Sequence, residues 1–197
     1  MDGIQEICRR AWAQGLAAHA WFLVVDVNRQ QLIVCRGGDV HSSYPVSTSQ
    51  FGVGQHEGSY RTPPGFHEVV DRIGSHAELG QVFESRIGIA KAIPNTRWSE
   101  PETSDRILTR ILRLRGLEPG LNQGPGIDSY DRHIYIHGTN QEHRLGSPAS
   151  RGCIRMGNRN IVELFLLLDT DPAWCWIGIP AHAASVGLID NIGKRSI

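Results

Sequence analysis

His137 and Cys153 are the two side chains of this chain best suited to covalent chemistry. A Gly/Ser/Pro-rich segment separates them, an alternating apolar run precedes them and a helix-like run follows. An ordinary thiol is mostly protonated at pH 7 and needs a base to become a nucleophile. An imidazole within reach can take that proton and leave a thiolate–imidazolium pair. Gly138 has no side chain, so its carbonyl can approach and orient the His137 ring as a third catalytic member. Gly152 lets the backbone fold so that successive N–H groups face inward, as an oxyanion hole requires. Arg151 and Arg155 flank Cys153 and favour its thiolate form. Arg155 also has the planar fork that holds a carboxylate through two hydrogen bonds. Acyl transfer through a thioester is the reaction class these parts fit best. One Cys and one His sixteen positions apart more often mean a buried thiol and a structural histidine. The residues around them favour the chemical reading.

These side chains need elements to position them. His133-Ile-Tyr-Ile-His137 alternates, so a strand would put His133, Tyr135 and His137 on one face and Ile134 and Ile136 on the other. After Cys153, the residues Ile161, Leu164, Phe165 and Leu168 form an apolar helix stripe, with Asn158 or Asn160 as its cap. Upstream, Ile4, Ile7, Cys8, Ala11, Trp12 and Gly15 follow helical spacing, with Asp2 as a cap. Strands are expected at 21–27, 31–35, 44–48, 66–70, 88–93 and 174–179. Thr62-Pro-Pro-Gly65 is a rigid turn, 71–81 and 97–105 read as loop, and 116–126 is a long Gly/Pro loop. Residues 107–114 suit helix or strand equally.

The 197 residues suffice for one domain with a substantial core. Twenty basic and twenty acidic residues leave no net charge, hence no electrostatic footprint for nucleic acid or an anionic membrane. No apolar run is long enough to span a bilayer. Arg9-Arg10 and the stretch to Val25 faintly imitate an export signal, but Asp2 and Glu6 oppose it and the run flows straight into a strand pattern, so no convincing signal peptide is read. Cys8, Cys35 and Cys175 form no C-x-x-C motif and read as buried, inert thiols. No cofactor is implied.

The motif His137-Gly138-Thr139 followed by Ser150-Arg151-Gly152-Cys153-Ile154-Arg155-Met156 resembles the signature of the L,D-transpeptidase (YkuD-type) catalytic domain. Asn158 and the helix that follows fit as well. Val25-Asp26 through Val34, Tyr44-Pro-Val-Ser-Thr48 and Thr62-Pro-Pro-Gly-Phe66 resemble the segments expected upstream, in order. The resemblance implies a mainly β, sandwich-like fold with short helices, and it favours strand for 107–114. It divides the chain into an N-terminal helix packed on the domain (1–20), a catalytic domain (21–180) and a C-terminal tail (181–197). It implies peptidoglycan stem peptides as partners: Cys153 attacks the carbonyl of the L-centre of a diamino acid, D-Ala leaves, and an amine from a second stem, or water, resolves the thioester. His137 is then the base, Gly138 its orienting carbonyl and Gly152 part of the oxyanion hole. Arg155, Arg151, Ser150, Tyr135, His133 and Thr139 are the expected substrate-side residues. Many members carry His where Arg151 stands, which leaves the base in place. The substrate implies a location in the cell envelope or periplasm.

Three other readings compete. Cys153 and Arg159 match Cys-x5-Arg, as in cysteine phosphatases, but Asn160 stands where Ser or Thr is usual. His133, His137 and Cys153 suggest zinc, yet an extended strand separates the two histidines by roughly 13 Å, too far for one ion. The third is a non-catalytic peptidoglycan-binding module. No metal site and no oligomeric state are read from the sequence.

Overall fold

The computed structural model describes residues 2–100, 104–168 and 172–180, so the expected tail at 181–197 lies outside the described residues, as does the Asp2 side chain proposed as a cap. The chain opens with helix α1 (Asp2–Ala13), then strands β1 (Trp21–Asp26), β2 (Gln31–Arg36) and β3 (Asp39–Ser47). Next come β4 (Gly65–Ile73), the short hairpin β5 (Val82–Glu84) and β6 (Ile87–Ala90), and β7 (Ile107–Gly116). The last elements are β8 (Tyr135–Thr139), β9 (Ile154–Met156), α2 (Asn158–Leu167) and β10 (Trp174–Gly178).

The strands form one sheet in the order β4-β10-β1-β2-β3-β9-β8-β7-β5-β6, and β4 also pairs with β7. The sandwich is therefore a ring of eight strands that closes on itself, with the β5–β6 hairpin hanging from one edge. Closure satisfies the edge hydrogen bonds that an open sheet leaves exposed.

Alternation sorts side chains into two layers. Trp21, Leu23 and Val25 of β1, Leu32 and Val34 of β2, and Cys175 and Ile177 of β10 point into the ring and meet the α2 stripe of Ile161, Leu164, Phe165 and Leu168. Phe22, Val24, Ile33 and Cys35 point outward and are covered by Ile7, Cys8 and Ala11 of α1. Both faces of β1 are thus buried, which is why it reads as a continuous apolar run. Cys8, Cys35 and Cys175 are buried free thiols.

Residues 107–114, open on periodicity and favoured as strand by the resemblance, are strand: β4 and β8 flank β7 on either side, and burial on both faces of Ile111, Leu112 and Leu114 removes any single-sided period. The three-residue strands β5 and β9 fall where no strand was expected. β4 runs on to Ile73, through a stretch expected as loop, because Asp71, Arg72 and Ile73 pair with Arg113, Leu112 and Ile111. The polar residues there are held by the partner strand, with Asp71 and Arg113 3.5 Å apart.

Candidate active site

β8 and β9 run parallel, with Ile136 opposite Ile154, His137 opposite Arg155 and Gly138 opposite Met156. Ile134, Ile136, Ile154 and Met156 point into the core. The alternate residues Tyr135, His137, Cys153 and Arg155 consequently share the outer face. There the half-buried Cys153 packs against an apolar cluster of Phe83, Ile111 and Tyr135.

The turn that presents Cys153 is held by side chains. Ser150 Oγ donates to the Cys153 carbonyl (2.6 Å) and accepts from the Gly152 N–H (3.2 Å). Thr62 Oγ1 donates to the Gly152 carbonyl (2.9 Å) and accepts from the Ser49 N–H. The rigid Thr62-Pro-Pro-Gly65 turn therefore clamps the loop that carries Cys153, a role its sequence did not signal. Gly152 has φ +124°, a region closed to side chains at low cost.

His137 is 2 % exposed, and its Nδ1 lies 2.8 Å from the Gly138 carbonyl. An Nδ1–H donated to that carbonyl leaves the basic lone pair on Nε2. Gly138 is required here, since a Cβ would lie 2.4 Å from Asn158 Oδ1 and 2.7 Å from the Leu108 carbonyl. Asn158 itself is fully buried and donates to the Thr139 carbonyl (2.7 Å) and Glu142 Oε1 (2.9 Å), and it accepts from Thr109 Oγ1 (2.6 Å). It is not a helix cap: the N-cap position is Gly157, without a side-chain bond, and Glu142 Oε1 accepts the Asn158 N–H instead. A carboxylate at that helix start also complements the helix dipole.

Burial pushes the Cys153 thiol up to about 11; Asp105 adds to the rise, while the Tyr135 N–H, Arg155 and Arg132 oppose it. Burial lowers the His137 pKa, against the Asp105 charge and the Gly138 carbonyl, with Arg155 lowering it further. Both directions favour the neutral forms of the thiol and the imidazole over a thiolate–imidazolium pair. Arg132 had no sequence signal. Its guanidinium donates to the carbonyls of Gln55 (2.7 Å) and Arg61 (2.6 Å), and its field reaches the sulfur.

The remaining expected residues take varied positions. Arg155 is buried, and its guanidinium is engaged by Asp105 (2.5 Å), Gln141 Oε1 (2.9 Å) and the Ala149 carbonyl (3.0 Å), so it is not a free fork for a ligand carboxylate. The Gly152 N–H is taken by Ser150 and Thr139 is fully buried, its Oγ1 accepting from the Gln141 N–H. Ser150 is 2 % exposed. These groups brace the site from within. His133 precedes β8 with φ +56°, so the expected strand starts two residues late. Its carbonyl lies 3.4 Å from the Cys153 sulfur, while its exposed ring sits near Arg86 and Arg113. Tyr135 Oη accepts from Arg86 (3.1 Å), and Arg151 is exposed, over the Tyr60 ring at 5.9 Å. Among the described residues, no group of three His, Cys, Asp or Glu side chains is placed to hold a metal ion. None of their helices is long and apolar enough to cross a membrane.

With this geometry in hand, comparison assigns the family. The model of the YkuD-type L,D-transpeptidase catalytic domain matches residues 20–175, and the chain belongs to that family. A putative L,D-transpeptidase YkuD of Bacillus licheniformis is 54% identical over 33 residues, 17% of this chain and 20% of that protein. L,D-transpeptidase 3 of Mycobacterium tuberculosis superposes with a TM-score of 0.49 at 15% identity, covering 81% of this chain and 61% of the other. An L,D-transpeptidase of Xylanimonas cellulosilytica gives 0.46 at 17% identity, covering 86% and 68%. The chain spans less than two thirds of the length of the Mycobacterium protein and a fifth of the Bacillus one.

Proposed function

We propose that this chain is a cysteine-dependent peptidoglycan L,D-transpeptidase, with Cys153 as nucleophile and His137 as general base. The observation that carries the reading is the 2.8 Å contact between His137 Nδ1 and the Gly138 carbonyl, on the sheet face that also bears Cys153. It fixes the tautomer whose Nε2 can accept a proton.

In the proposed cycle, Nε2 takes the thiol proton as sulfur attacks the carbonyl of the L-centre of a stem tetrapeptide. Because burial favours the neutral form of both partners, proton transfer accompanies attack. The tetrahedral intermediate then expels D-Ala, whose nitrogen receives the proton from the imidazolium, and a thioester remains on Cys153. An acceptor amine loses its proton to Nε2, attacks the thioester and restores the thiol. Ser150, Thr62 and Gly152 hold the sulfur in place; Thr139, Asn158 and Gly138 hold the base. Arg155 and Arg132 act through their fields on the developing thiolate. The substrate would set this work at the cell wall.

The test is mass spectrometry of products from disaccharide-tetrapeptide with the wild type and Cys153→Ala in parallel. Cysteine-dependent D-Ala release with joined dimers is expected. Release with only tripeptide monomers would make the protein an L,D-carboxypeptidase. No release from the wild type would remove the enzyme reading and bring forward a non-catalytic binding module.

A further inference from the structure

Next to the Cys153 turn lies a cavity of about 450 Å³, lined by Gln50, Asp105, Gln141, Arg144, Arg151 and Arg155 among others. Its walls are polar and carry three guanidinium groups against one carboxylate. Asp105 is already paired with Arg155. Arg144 and Arg151 are exposed, and neither has an anionic partner among the described residues. Two cations without an anionic partner among the described residues, set around a concave surface, focus a positive potential into it.

Asp105 in the wall disfavours a dianion, whereas a single carboxylate matches the planar arginine fork. Arg151 and Arg155 stand two residues either side of Cys153 in the chain, so the cavity adjoins the turn that carries the sulfur.

We propose that this cavity seats a carboxylate of the donor peptide, on a residue flanking the carbonyl that Cys153 attacks, held by Arg144 and Arg151. The inference rests on the reading of Cys153 as a nucleophile toward a peptide. It adds a specificity determinant, Arg144, and a substrate requirement: an anionic rather than an amidated donor.

The experiment is calorimetric titration of Cys153→Ala protein with two stem tetrapeptides. They differ only in whether the carboxyl on the residue before the diamino acid is free or amidated. The free acid should bind at least tenfold more tightly. Adding Arg144→Gln should erase that preference, and Arg144→Lys should keep part of it. Arg144 is exposed, and an unchanged thermal midpoint verifies each fold. Equal affinities for the two peptides, no binding of either, or a preference that survives Arg144→Gln overturns the inference. D-Ala release by the wild type is scored separately on the same peptides. Turnover without carboxylate preference discards the cavity assignment and keeps the enzyme; preference without turnover supports the cavity and discards the enzyme.

Discussion

Gly138 orients the imidazole of its own neighbour: its carbonyl oxygen lies 2.8 Å from His137 Nδ1. The acceptor is held rigidly, because Asn158 Oδ1 and the Leu108 carbonyl leave no room even for a methyl group at Gly138. A carbonyl fixes the tautomer without adding a charge beside the base, and so does not stabilise the imidazolium at rest as a carboxylate would.

Gly138→Ala should therefore damage stability and chemistry together. The new methyl must displace Asn158 and loosen its bond to the Thr139 carbonyl. Overpacking of this kind costs about 1–3 kcal/mol, and misplacement of the base by about 1 Å costs on the order of a hundredfold in rate. Urea unfolding and D-Ala release measure the two effects, and a variant that matches the wild type in both would contradict the proposed packing.

The Cys153 thiol, pushed up to about 11 by burial, should be slow to alkylate at neutral pH. The rate of modification by iodoacetamide should climb through pH 9–11. A rate that is already flat above pH 7 would instead show a preformed thiolate–imidazolium pair.

Asp105→Asn removes a negative charge that raises the pKa of both Cys153 and His137. The alkylation profile should move to lower pH. The substitution also leaves the buried Arg155 guanidinium without its counter-ion. Since Asp105 itself is 35% exposed on its side chain, we expect a loss of about 2 kcal/mol, below the range for a fully buried pair. An alkylation midpoint that stays put or rises would contradict the field assigned to Asp105.

His67 provides an acid-sensitive element remote from the site. It is fully buried, with Nδ1 3.0 Å from the Gly65 carbonyl and Nε2 3.0 Å from Ser129 Oγ, and burial lowers its pKa from 6.5 to about 4. Between those values the unfolded chain binds the extra proton and the folded protein does not. Stability is thus full above about pH 6.5 and falls as the pH drops toward 4, by about 3 kcal/mol from this group. His137, also lowered, acts in the same direction. Denaturant unfolding across pH 4–7 should show the slope, and His67→Gln should flatten it; an equal slope in both proteins would assign the effect elsewhere.

Features with a local period or a local motif were legible in the chain. α1 was visible because Ile7, Cys8 and Ala11 recur at helical spacing, and β1 because both of its faces need apolar cover. The His137–Gly138 contact was legible because its donor and acceptor are adjacent residues. β7 was ambiguous because burial on both faces erases the period that distinguishes strand from helix. His133 left the strand because its left-handed φ is set by the preceding turn, where its N–H donates to the Tyr130 carbonyl.

The residues by themselves determined the chemical types at the site, most of the longer strands and the two apolar faces that must be covered. The tertiary structure alone decided which groups are free to act. Arg155 looks like a ligand fork until Asp105, fifty positions earlier, is brought against it. Asn158 looks like a cap until Glu142 and Thr139 meet it. Arg132 shows no role until its guanidinium is anchored on loop carbonyls where its charge reaches the sulfur. Hydrogen bonds and burial depend on partners that the closing of the ring brings together, and those partners follow no period along the chain. The raised pKa of Cys153 and the lowered pKa of His137 have the same origin, because desolvation exists only once the strands have packed.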